Sequence, residues 1–265
     1  MMAGRVELPT GVTLNARVDG EEGRPWIVLS NSLGAILSMW EPQMPLLTKG
    51  YRVLRYDTRG HGGSDAPPGP YGFDDFTGDV LGLMDAHGID RAAFMGLSMG
   101  GMTGLGLALD HANRMERVVC ADGRADAPEP FRAMWDQRIA KVEEGGLEAI
   151  ADGTLASWLS EGWREANPGE TARIRRMVTS NDPDGYIACC RGLKTLDYLR
   201  RLGDVAVPVL YVGGSEDKGA SPETMRAMAA ATPGGEYREI AGAAHVANLN
   251  APEAFDAAIA EFLGL

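Results

Sequence analysis

The chain shows two hydrophobic patterns, and each pattern predicts a different kind of secondary structure. Near the start, residues 6–8 and 13–18 alternate apolar and polar side chains around a turn at residues 9–11, which predicts an antiparallel hairpin. Six further strands are predicted, most of them as apolar runs typical of strands buried on both faces of a sheet. They lie at residues 26–29, 51–56, 92–97, 118–121, 208–213 and 237–240.

Helical spacing separates the strands along most of the chain. Apolar residues recur at helical intervals in residues 74–87, and Gly88 marks the end of that helix. A small-residue run at 101–110, residues 222–231 and an amphipathic segment around Phe255 predict three more helices. Strands that alternate with helices predict an α/β fold, here a mostly parallel eight-stranded sheet with helices on both faces.

The alternation stops between residues 123 and 201, where no clear buried strand occurs. Helical patterns occupy this stretch, at residues 131–144, 147–159, 171–179 and 186–193. We therefore predict two units, an α/β core formed by residues 1–122 and 202–265 and a helical insertion formed by residues 123–201.

Composition narrows the function and the setting of the protein. A net charge of −12 argues against nucleic acid and against an anionic membrane surface as partners. No apolar run approaches the roughly 20 residues of a membrane-spanning helix, and residues 1–19 lack the apolar core of a signal peptide. The three cysteines are odd in number and two are adjacent, so we expect no disulfide framework and a cytoplasmic location.

The strongest chemical signal is at residues 96–100, which read Gly-Leu-Ser-Met-Gly, a G-x-S-x-G motif. A predicted strand ends directly before it and a predicted helix follows it, which is the context of a nucleophile elbow. In such an elbow the turn strains the serine backbone and presents its hydroxyl beside a helix N-terminus, which favours developing negative charge. We therefore predict that Ser98 is a nucleophile.

A serine hydroxyl needs an adjacent base at neutral pH, and four histidines are available. His245 follows the last predicted strand among small residues that leave its ring room to reach Ser98, and we predict that it is the base. His87 and His111 lie at the ends of predicted helices, where a favourable charge or a surface position is expected. His61 lies in a glycine-rich loop, where a structural hydrogen bond is expected.

The base should in turn be oriented by an acid that stabilises its charged form. Asp217 and Glu216 lie in the loop after the penultimate predicted strand, and Asp122 follows the strand before the helical insertion. The chain order of nucleophile, acid and base favours Asp217, with Glu216 and Asp122 as alternatives.

A tetrahedral oxyanion needs two hydrogen-bond donors near the nucleophile. In this arrangement one donor is the backbone amide of the residue after the nucleophile, which is Met99. The second comes from the loop after the strand at residues 26–29, where Leu33 precedes Gly34. We predict that Leu33 and Met99 form an oxyanion hole.

Beyond these motifs, the sequence resembles the α/β-hydrolases and, within them, the 3-oxoadipate enol-lactonases of aromatic catabolism. The resembling segments span nearly the whole chain, at residues 29–34, 39–43, 54–62, 69–71, 96–102, 135–139 and 185–190. The resemblance implies an α/β-hydrolase fold with a helical cap over the site. It also implies a triad of Ser98, Asp217 and His245 that acts on a lactone or an ester.

A substrate of that family carries a carboxylate, which a net charge of −12 would repel unless the pocket holds a cation. Arg138, one helical turn past Trp135, is the candidate cation because a guanidinium binds a carboxylate through two hydrogen bonds; the alternative is a solvated arginine in ordinary ion pairs. Trp135 is either a pocket wall or part of the helical core, and Ser32 is a third predicted substrate-binding residue. Charges at Asp122 and Arg124, where the family has small polar residues, predict one of them at the pocket mouth.

Three functions fit these residues. They are an enol-lactonase, a carboxylesterase or other lactonase (an acyl-homoserine lactonase among them), and a non-catalytic ligand-binding protein on a hydrolase scaffold. The third requires a degraded triad, whereas every triad position is filled.

The histidines lack metal-ligand spacing, so neither metal nor cofactor is expected. The expected partner is a small-molecule ester or lactone, and the protein is expected to be a monomer or a homodimer.

Overall fold

The computed structural model describes residues 2–265 as a sheet with helices on both faces. The strands are β1 (Met2–Glu7), β2 (Thr13–Asp19), β3 (Trp26–Ser30), β4 (Arg52–Tyr56), β5 (Ala92–Leu97), β6 (Met115–Ala121), β7 (Val209–Gly214) and β8 (Glu236–Ile240). The α-helices are α1 (Met44–Leu47), α2 (Phe73–Ala86), α3 (Met99–Asp110), α4 (Glu129–Gly145), α5 (Glu148–Trp158), α6 (Glu161–Ala166), α7 (Pro168–Thr179), α8 (Pro183–Leu193), α9 (Pro222–Ala231), α10 (Ala247–Asn250) and α11 (Pro252–Leu263). Among these helices, none combines the length and the apolar character that crossing a membrane needs.

The sheet is antiparallel at one edge and parallel elsewhere. Over the described residues its eight strands lie in the order β1-β2-β4-β3-β5-β6-β7-β8. β2 pairs with both β1 and β4 in antiparallel register, and the remaining neighbours are parallel. The predicted α/β fold with a mostly parallel eight-stranded sheet is therefore confirmed. Because parallel strands end at a common edge, the loops after β3, β5, β6, β7 and β8 meet there.

Helices cover both faces of the sheet, so each central strand contributes to two cores. In β3, Ile27 and Leu29 pack in a core that also contains Phe255 of α11. Between them, Val28 points to the other face, into a core that contains Leu83 of α2. Successive side chains of a strand alternate between faces, so a strand covered on both sides needs apolar residues at consecutive positions.

Between β6 and β7 the chain forms helices α4 to α8, and we call residues 129–193 the helical segment. An isolated antiparallel bridge between Asp126 and Asp197 joins the entry and the exit of this segment. Ile139 of α4, Ile150 of α5 and Ile187 of α8 belong to a hydrophobic cluster that extends onto Leu33, in the loop after β3. The helical segment is therefore packed against the loops at the parallel end of the sheet.

Several helices begin earlier than the apolar pattern predicts. α4 begins at Glu129, α7 at Pro168 and α8 at Pro183, with a proline in the first turn of each. Proline suits that turn because its missing amide would have no partner there, and the apolar periodicity starts only afterwards. The short helices α1, α6 and α10 are not predicted, since four to six residues cannot show a helical period. The 3₁₀ helices at Leu37–Gln43, Ala112–Arg114 and Leu199–Asp204 are not predicted either.

Candidate active site

Ser98 lies between β5 and α3 in a backbone conformation that few residues other than glycine adopt. Its φ of 55° and ψ of −115° are outside the usual helical and extended regions. A Cβ on Gly96 would lie 2.1 Å from the backbone of Gly100, and a Cβ on Gly100 would lie 2.3 Å from the carbonyl oxygen of Ser30. Both glycines of the motif are thus required by close backbone packing, which turns the chain sharply and presents Ser98 at the sheet edge.

Two hydrogen bonds join Ser98, His245 and Asp217 in a line. The Oγ of Ser98 lies 2.9 Å from Nε2 of His245, and Nδ1 of His245 lies 2.8 Å from Oδ2 of Asp217. The three residues follow β5, β8 and β7 respectively, so they come from loops at the same edge of the sheet. The fold therefore brings together a hydroxyl and an imidazole that are 147 positions apart in sequence.

The charges around His245 favour its protonated form more than burial opposes it. Burial lowers the pKa of His245, but the charge of Asp217 and the hydrogen bond to it outweigh that effect and raise the pKa above its usual value. Burial raises the pKa of Asp217, whereas the charge of His245 and hydrogen bonds from His245 and the amides of Gly219 and Ala220 lower it overall. The carboxylate of Asp217 accepts a hydrogen bond from Nδ1–H of neutral His245, which leaves Nε2 unprotonated and able to accept the proton of Ser98.

The other three histidines do not contact Ser98, and His61 has the structural hydrogen bond that was expected for it. Nε2 of His61 accepts the amide hydrogen of Gly34 at 2.9 Å. The ring of His87 bonds to a carbonyl in the last turn of α2, and His111 ends α3. Among the alternative acids, Glu216 is exposed. Within residues 2–265, no group of three or more His, Cys, Asp or Glu side chains is arranged to hold a metal ion.

Asp122 forms the floor of the site and not its mouth. The residue is fully buried, and its Oδ1 and Oδ2 accept the amide hydrogens of Gly214 at 2.8 Å and Ala247 at 3.3 Å. Asp122 and Arg124 both line the cavity, and of these two candidates for the mouth only Arg124 reaches solvent, with its side chain 15% exposed. Its guanidinium donates to the carbonyl oxygen of Gly219 at 3.0 Å. The carboxyl oxygens of Asp122 are therefore satisfied by backbone amides in the interior and do not face the mouth.

The predicted oxyanion donors come from two loops that are bonded to each other. Met99 is the first residue of α3, where a backbone amide has no acceptor within the helix. Leu33 lines the same cavity as Ser98. The amide of Gly100 donates to the carbonyl oxygen of Asn31 at 3.1 Å, which fixes the two loops side by side. An oxyanion role for Leu33 and Met99 stays a prediction.

A cavity of about 590 Å³, counted with its open mouth, lies between the sheet edge and the helical segment. Ser98 and His245 face it from the sheet. Its apolar and aromatic walls are formed by Leu33, Met102, Phe131, Met134, Trp135 and Trp158. A concave site with mostly apolar walls and a few polar groups is typical of small-molecule binding.

Arg138 is a cation that the helical segment contributes to this cavity. Its Nε donates to the hydroxyl of Tyr186 at 2.6 Å, and a terminal nitrogen donates to the hydroxyl of Thr154. The guanidinium carbon lies 5.7 Å from the centre of the Trp135 ring. Burial raises the pKa of Tyr186, so its hydroxyl is neutral. These neutral partners hold the guanidinium in place without cancelling its charge.

The other two residues predicted to bind substrate also line the cavity. Trp135 packs edge-on against Phe131, with ring centres 5.6 Å apart, so it is both a cavity wall and part of the helical packing. Its buried Nε1 has no hydrogen-bond partner within residues 2–265, although a buried indole usually finds one. Ser32 lies beside Leu33 on the cavity surface.

Sequence reasoning did not assign Tyr186, Thr154 or Trp158 to the site. Tyr186 and Thr154 lie 48 and 16 positions from Arg138, on α8 and α5, and no spacing rule connects them to it. Tyr186 does stand within residues 185–190, a segment that carries the family resemblance. Trp158 is the last residue of α5. The apolar periodicity of this helix does not show that Trp158 faces a cavity as well as the core.

Comparison with known proteins adds four findings. A profile of the α/β-hydrolase fold family matches residues 25–252. Over 257 residues the chain is 34% identical to 3-oxoadipate enol-lactonase 2 of Acinetobacter baylyi, covering 94% of this chain and 92% of that protein. It is 29% identical to a candidate carbamate hydrolase, RutD of Caulobacter segnis, over 91% of this chain and 92% of the other. The crystal structure of the enol-lactonase from Burkholderia xenovorans LB400 matches with a TM-score of 0.95 at 42% identity, over 99% of this chain and 100% of that one.

Proposed function

Because the chain belongs to the α/β-hydrolase family, we propose that it is a serine hydrolase that opens 3-oxoadipate enol-lactone or a closely related lactone. The resemblance predicted from the motifs is confirmed by the family match and by the two enol-lactonase relatives. The reaction needs a nucleophile, a base with its acid, an oxyanion site and a group that recognises the substrate. Each of these has a candidate on the cavity or in direct contact with a residue that lines it.

One observation supports the proposal most strongly. The hydrogen-bonded line of Ser98, His245 and Asp217 opens onto the same cavity as Arg138. The line of hydroxyl, imidazole and carboxylate suits acyl transfer, because the imidazole can take the hydroxyl proton while the carboxylate stabilises the resulting charge. The guanidinium suits a substrate that carries a carboxylate. Together they fit a lactone with an acidic side group.

In the first half of the proposed cycle, Nε2 of His245 takes the proton of Ser98 as its oxygen attacks the lactone carbonyl carbon. Negative charge develops on the carbonyl oxygen, where the amides of Leu33 and Met99 would each contribute about 3 kcal/mol. The ring C–O bond then breaks, and the acyl group remains on Ser98. The departing enolate takes the proton from His245 and tautomerises to a ketone.

In the second half, His245 takes a proton from water, and the hydroxide oxygen attacks the acyl carbon. The bond to Ser98 breaks, and the serine oxygen recovers its proton from His245. Asp217 stabilises the protonated imidazole in both halves. Ser98, His245, water and substrate supply every proton and electron pair that moves, and the product is an acid with a free carboxylate at the former ring position.

Substrate choice is proposed to depend on the helical segment. Arg138 is held by Tyr186 and Thr154, so little conformational freedom would be lost when it binds a carboxylate. Trp135 and Phe131 offer flat apolar surfaces for the ring of a small lactone. A neutral ester could occupy the same walls, but it would leave the guanidinium without an anionic partner.

We also propose that residues 123–201 form a cap subdomain on a core of residues 1–122 and 202–265. The helices α4, α5 and α8 contribute cavity residues, which supports a covering role. The bridge between Asp126 and Asp197 supports boundaries close to these positions, because it joins the two chain crossings between the proposed units.

The direct test compares 3-oxoadipate enol-lactone with p-nitrophenyl acetate, and uses Ser98→Ala as the blank. We expect kcat/KM for the lactone to exceed that for the neutral ester by about 10- to 100-fold, the range for a charged hydrogen-bonded pair. Ser98→Ala should abolish both reactions. Faster turnover of the neutral ester, with no effect of Arg138→Gln on either substrate, would contradict the lactone assignment.

A carboxylesterase or another lactonase is the second candidate, and the apolar walls favour it. Phe131, Met134 and Trp158 could pack against an acyl chain such as that of an acyl-homoserine lactone. This candidate predicts that kcat/KM rises with the acyl chain length of neutral substrates and is insensitive to Arg138→Gln. A carbamate ester belongs in the same substrate panel, because one relative is named for carbamate hydrolysis.

A further inference from the structure

The end of β6 contacts all three loops that carry Ser98, Asp217 and His245. The amide of Ser98 donates to the carbonyl oxygen of Ala121 at 2.8 Å. The next residue, Asp122, accepts the amide of Gly214 at 2.8 Å on one oxygen and the amide of Ala247 at 3.3 Å on the other. Ala121 and Asp122 therefore connect the three loops that carry the proposed nucleophile, acid and base.

We propose that Asp122 is a positioning residue, whose buried carboxylate fixes the loops of Asp217 and His245 and supplies a second negative charge beneath the imidazole. The proposal rests on the proposed function, since it presumes that Asp217 and His245 act on Ser98. It differs from a role as the triad acid, because Asp122 bonds to backbone amides while Asp217 bonds to the ring.

On the acid side, the contact reaches Asp217 through a tight turn. Gly214 ends β7, and its carbonyl oxygen accepts the amide of Asp217 at 3.2 Å. A Cβ on Gly214 would lie 2.3 Å from the carbonyl oxygen of Ala244, the residue before His245. Asp122 thus holds a point at which the two loops touch, and a shift of Gly214 would alter the distance between Asp217 and His245.

On the base side, the contact reaches His245 through the start of α10. Ala247 is the first residue of that helix, and it lies two positions after His245. The amide of Val246, between them, donates to the carbonyl oxygen of Trp158 at 3.1 Å. The histidine loop is therefore held from two sides, by Asp122 below and by the helical segment above.

The backbone of Asp122 shows that the position is strained. Its φ is 45°, in the left-handed region that non-glycine residues rarely adopt and that aspartate tolerates better than most. Its own amide still donates to the carbonyl oxygen of Val212 at 2.8 Å, so the sheet pairing with β7 continues up to this residue. The turn aims the carboxylate into the space under the triad, and such local strain is often found at functional sites.

The charge of Asp122 is linked to that of His245. Burial, and after it the charge of Asp217, raise the pKa of Asp122 well above its usual value, although His245 and the two backbone amides act in the opposite direction. Each carboxyl oxygen accepts a backbone amide hydrogen, and these two contacts favour the ionised form against the effect of burial. The groups that act on His245 are Asp217 and Asp122, which raise its pKa, and Arg138, which lowers it. In its ionised form, Asp122 therefore favours the imidazolium that forms in the proposed reaction.

The test uses Asp122→Asn, which keeps the shape but removes the charge and one acceptor. The control is Glu216→Gln, which removes an exposed carboxylate from the neighbouring loop. An NMR titration of the histidine ring signals, with the His245 signal assigned from His245→Gln, measures the pKa directly. We expect Asp122→Asn to lower the pKa of His245 by about half a unit to one unit. Glu216→Gln should leave it unchanged.

Kinetics with p-nitrophenyl acetate give the second measurement. In Asp122→Asn we expect kcat to fall about 10-fold with KM within about twofold, and the acid limb of kcat/KM to move to lower pH. An unmoved His245 titration and acid limb in a folded Asp122→Asn protein would overturn the proposal. Equal effects of Glu216→Gln would overturn it too. If Asp122→Asn does not fold, the same measurements on Asp122→Ser, which adds no bulk, decide the question.

This experiment separates the present proposal from the proposed function. If Ser98→Ala retains esterase activity, the serine mechanism fails, whatever happens at Asp122. If Ser98→Ala is inactive and the His245 titration does not respond to Asp122→Asn, only the role of Asp122 fails. The titration needs no substrate, so it remains informative even if the natural substrate is not a lactone.

Discussion

The sheet edge and the helical segment contribute to one cavity by different physical means. At the sheet edge, the site residues are held by backbone hydrogen bonds: the amide of Ser98 donates to the carbonyl oxygen of Ala121, and the amide of Asp122 donates to that of Val212. In the helical segment, the cavity residue Arg138 is held by side chains, through the hydroxyls of Tyr186 and Thr154. The edge is thus specified largely by the fold, whereas the segment depends on individual residue choices.

This difference suggests a division of roles. Changes at the sheet edge should affect kcat with every substrate, because all substrates would use the same proton transfers. Changes in the helical segment should affect KM and the choice of substrate, because they alter walls and charges that only some substrates contact. The following substitutions are ordered from the largest expected effect to the smallest, and each one tests this division.

Ser98→Ala should cause the largest loss, on the order of 10⁵- to 10⁶-fold in kcat, because it removes the proposed attacking oxygen. Hydrolysis of 3-oxoadipate enol-lactone and of p-nitrophenyl acetate measures the loss, with circular dichroism as a check of folding. Substrate binding should survive, as judged by quenching of tryptophan fluorescence from Trp135 and Trp158 on the cavity wall. Substantial turnover by a well-folded Ser98→Ala protein is the outcome incompatible with a serine nucleophile.

Asp217→Asn should reduce kcat about 10³- to 10⁴-fold for both substrates, because an amide favours the wrong tautomer of His245. The pH profile gives a second readout. In the natural chain the pKa of His245 is raised by Asp217, so kcat/KM should rise with pH until the imidazole is neutral. Without that charge the pKa falls, and residual activity should persist to lower pH. A profile that stays in place would speak against Asp217 as the acid.

Arg138→Gln should raise KM for a lactone with a carboxylate about 10- to 100-fold, because a charge-assisted pair is lost. KM and kcat for p-nitrophenyl acetate should change less than about twofold, since the neutral ester makes no such pair. Arg132→Gln is the matched control, because Arg132 lies on the same helix with its side chain 44% exposed. If KM rose equally for both substrates, Arg138 would support packing and not substrate recognition.

Tyr186→Phe should have the smallest effect, a rise of about 3- to 10-fold in KM for the carboxylate substrate, since it removes one hydrogen bond to Arg138. Tyr237→Phe is the control, as its hydroxyl bonds only at the surface, to Glu239. Steady-state kinetics on both substrates measure the effect. If KM rises as much for the neutral ester as for the lactone, the hydroxyl of Tyr186 stabilises the fold and does not act through Arg138. That result would weaken the proposed division of roles.

Local patterns were sufficient to predict much of the sheet edge. A sheet covered on both faces needs strands with consecutive apolar residues, so β3 and β5 were recognisable from their apolar runs alone. Gly96 and Gly100 predicted a sharp turn, and the backbone of Ser98 has the expected strained conformation. Chain order then pointed to His245, because the loops after parallel strands must meet at one edge.

The helical segment was less predictable. Its helices show periodicity, but a period reports only which face is apolar and not whether that face meets a core or a cavity. Trp135 illustrates this, since it packs on Phe131 and lines the cavity at once. Arg138 was noticed through resemblance, whereas Tyr186 and Thr154, which hold it, lie on other helices.

The sequence by itself determined the fold class and the elbow, because both follow from side-chain periodicity and from glycines at fixed spacing. Chain order favoured Asp217 among three carboxylates, but only the tertiary structure showed their surroundings: Asp217 contacts the His245 ring, Glu216 is exposed, and Asp122 is buried against backbone amides. Such differences arise from contacts between residues far apart in the chain. Charge and burial at one position depend on those distant neighbours, which no local pattern records.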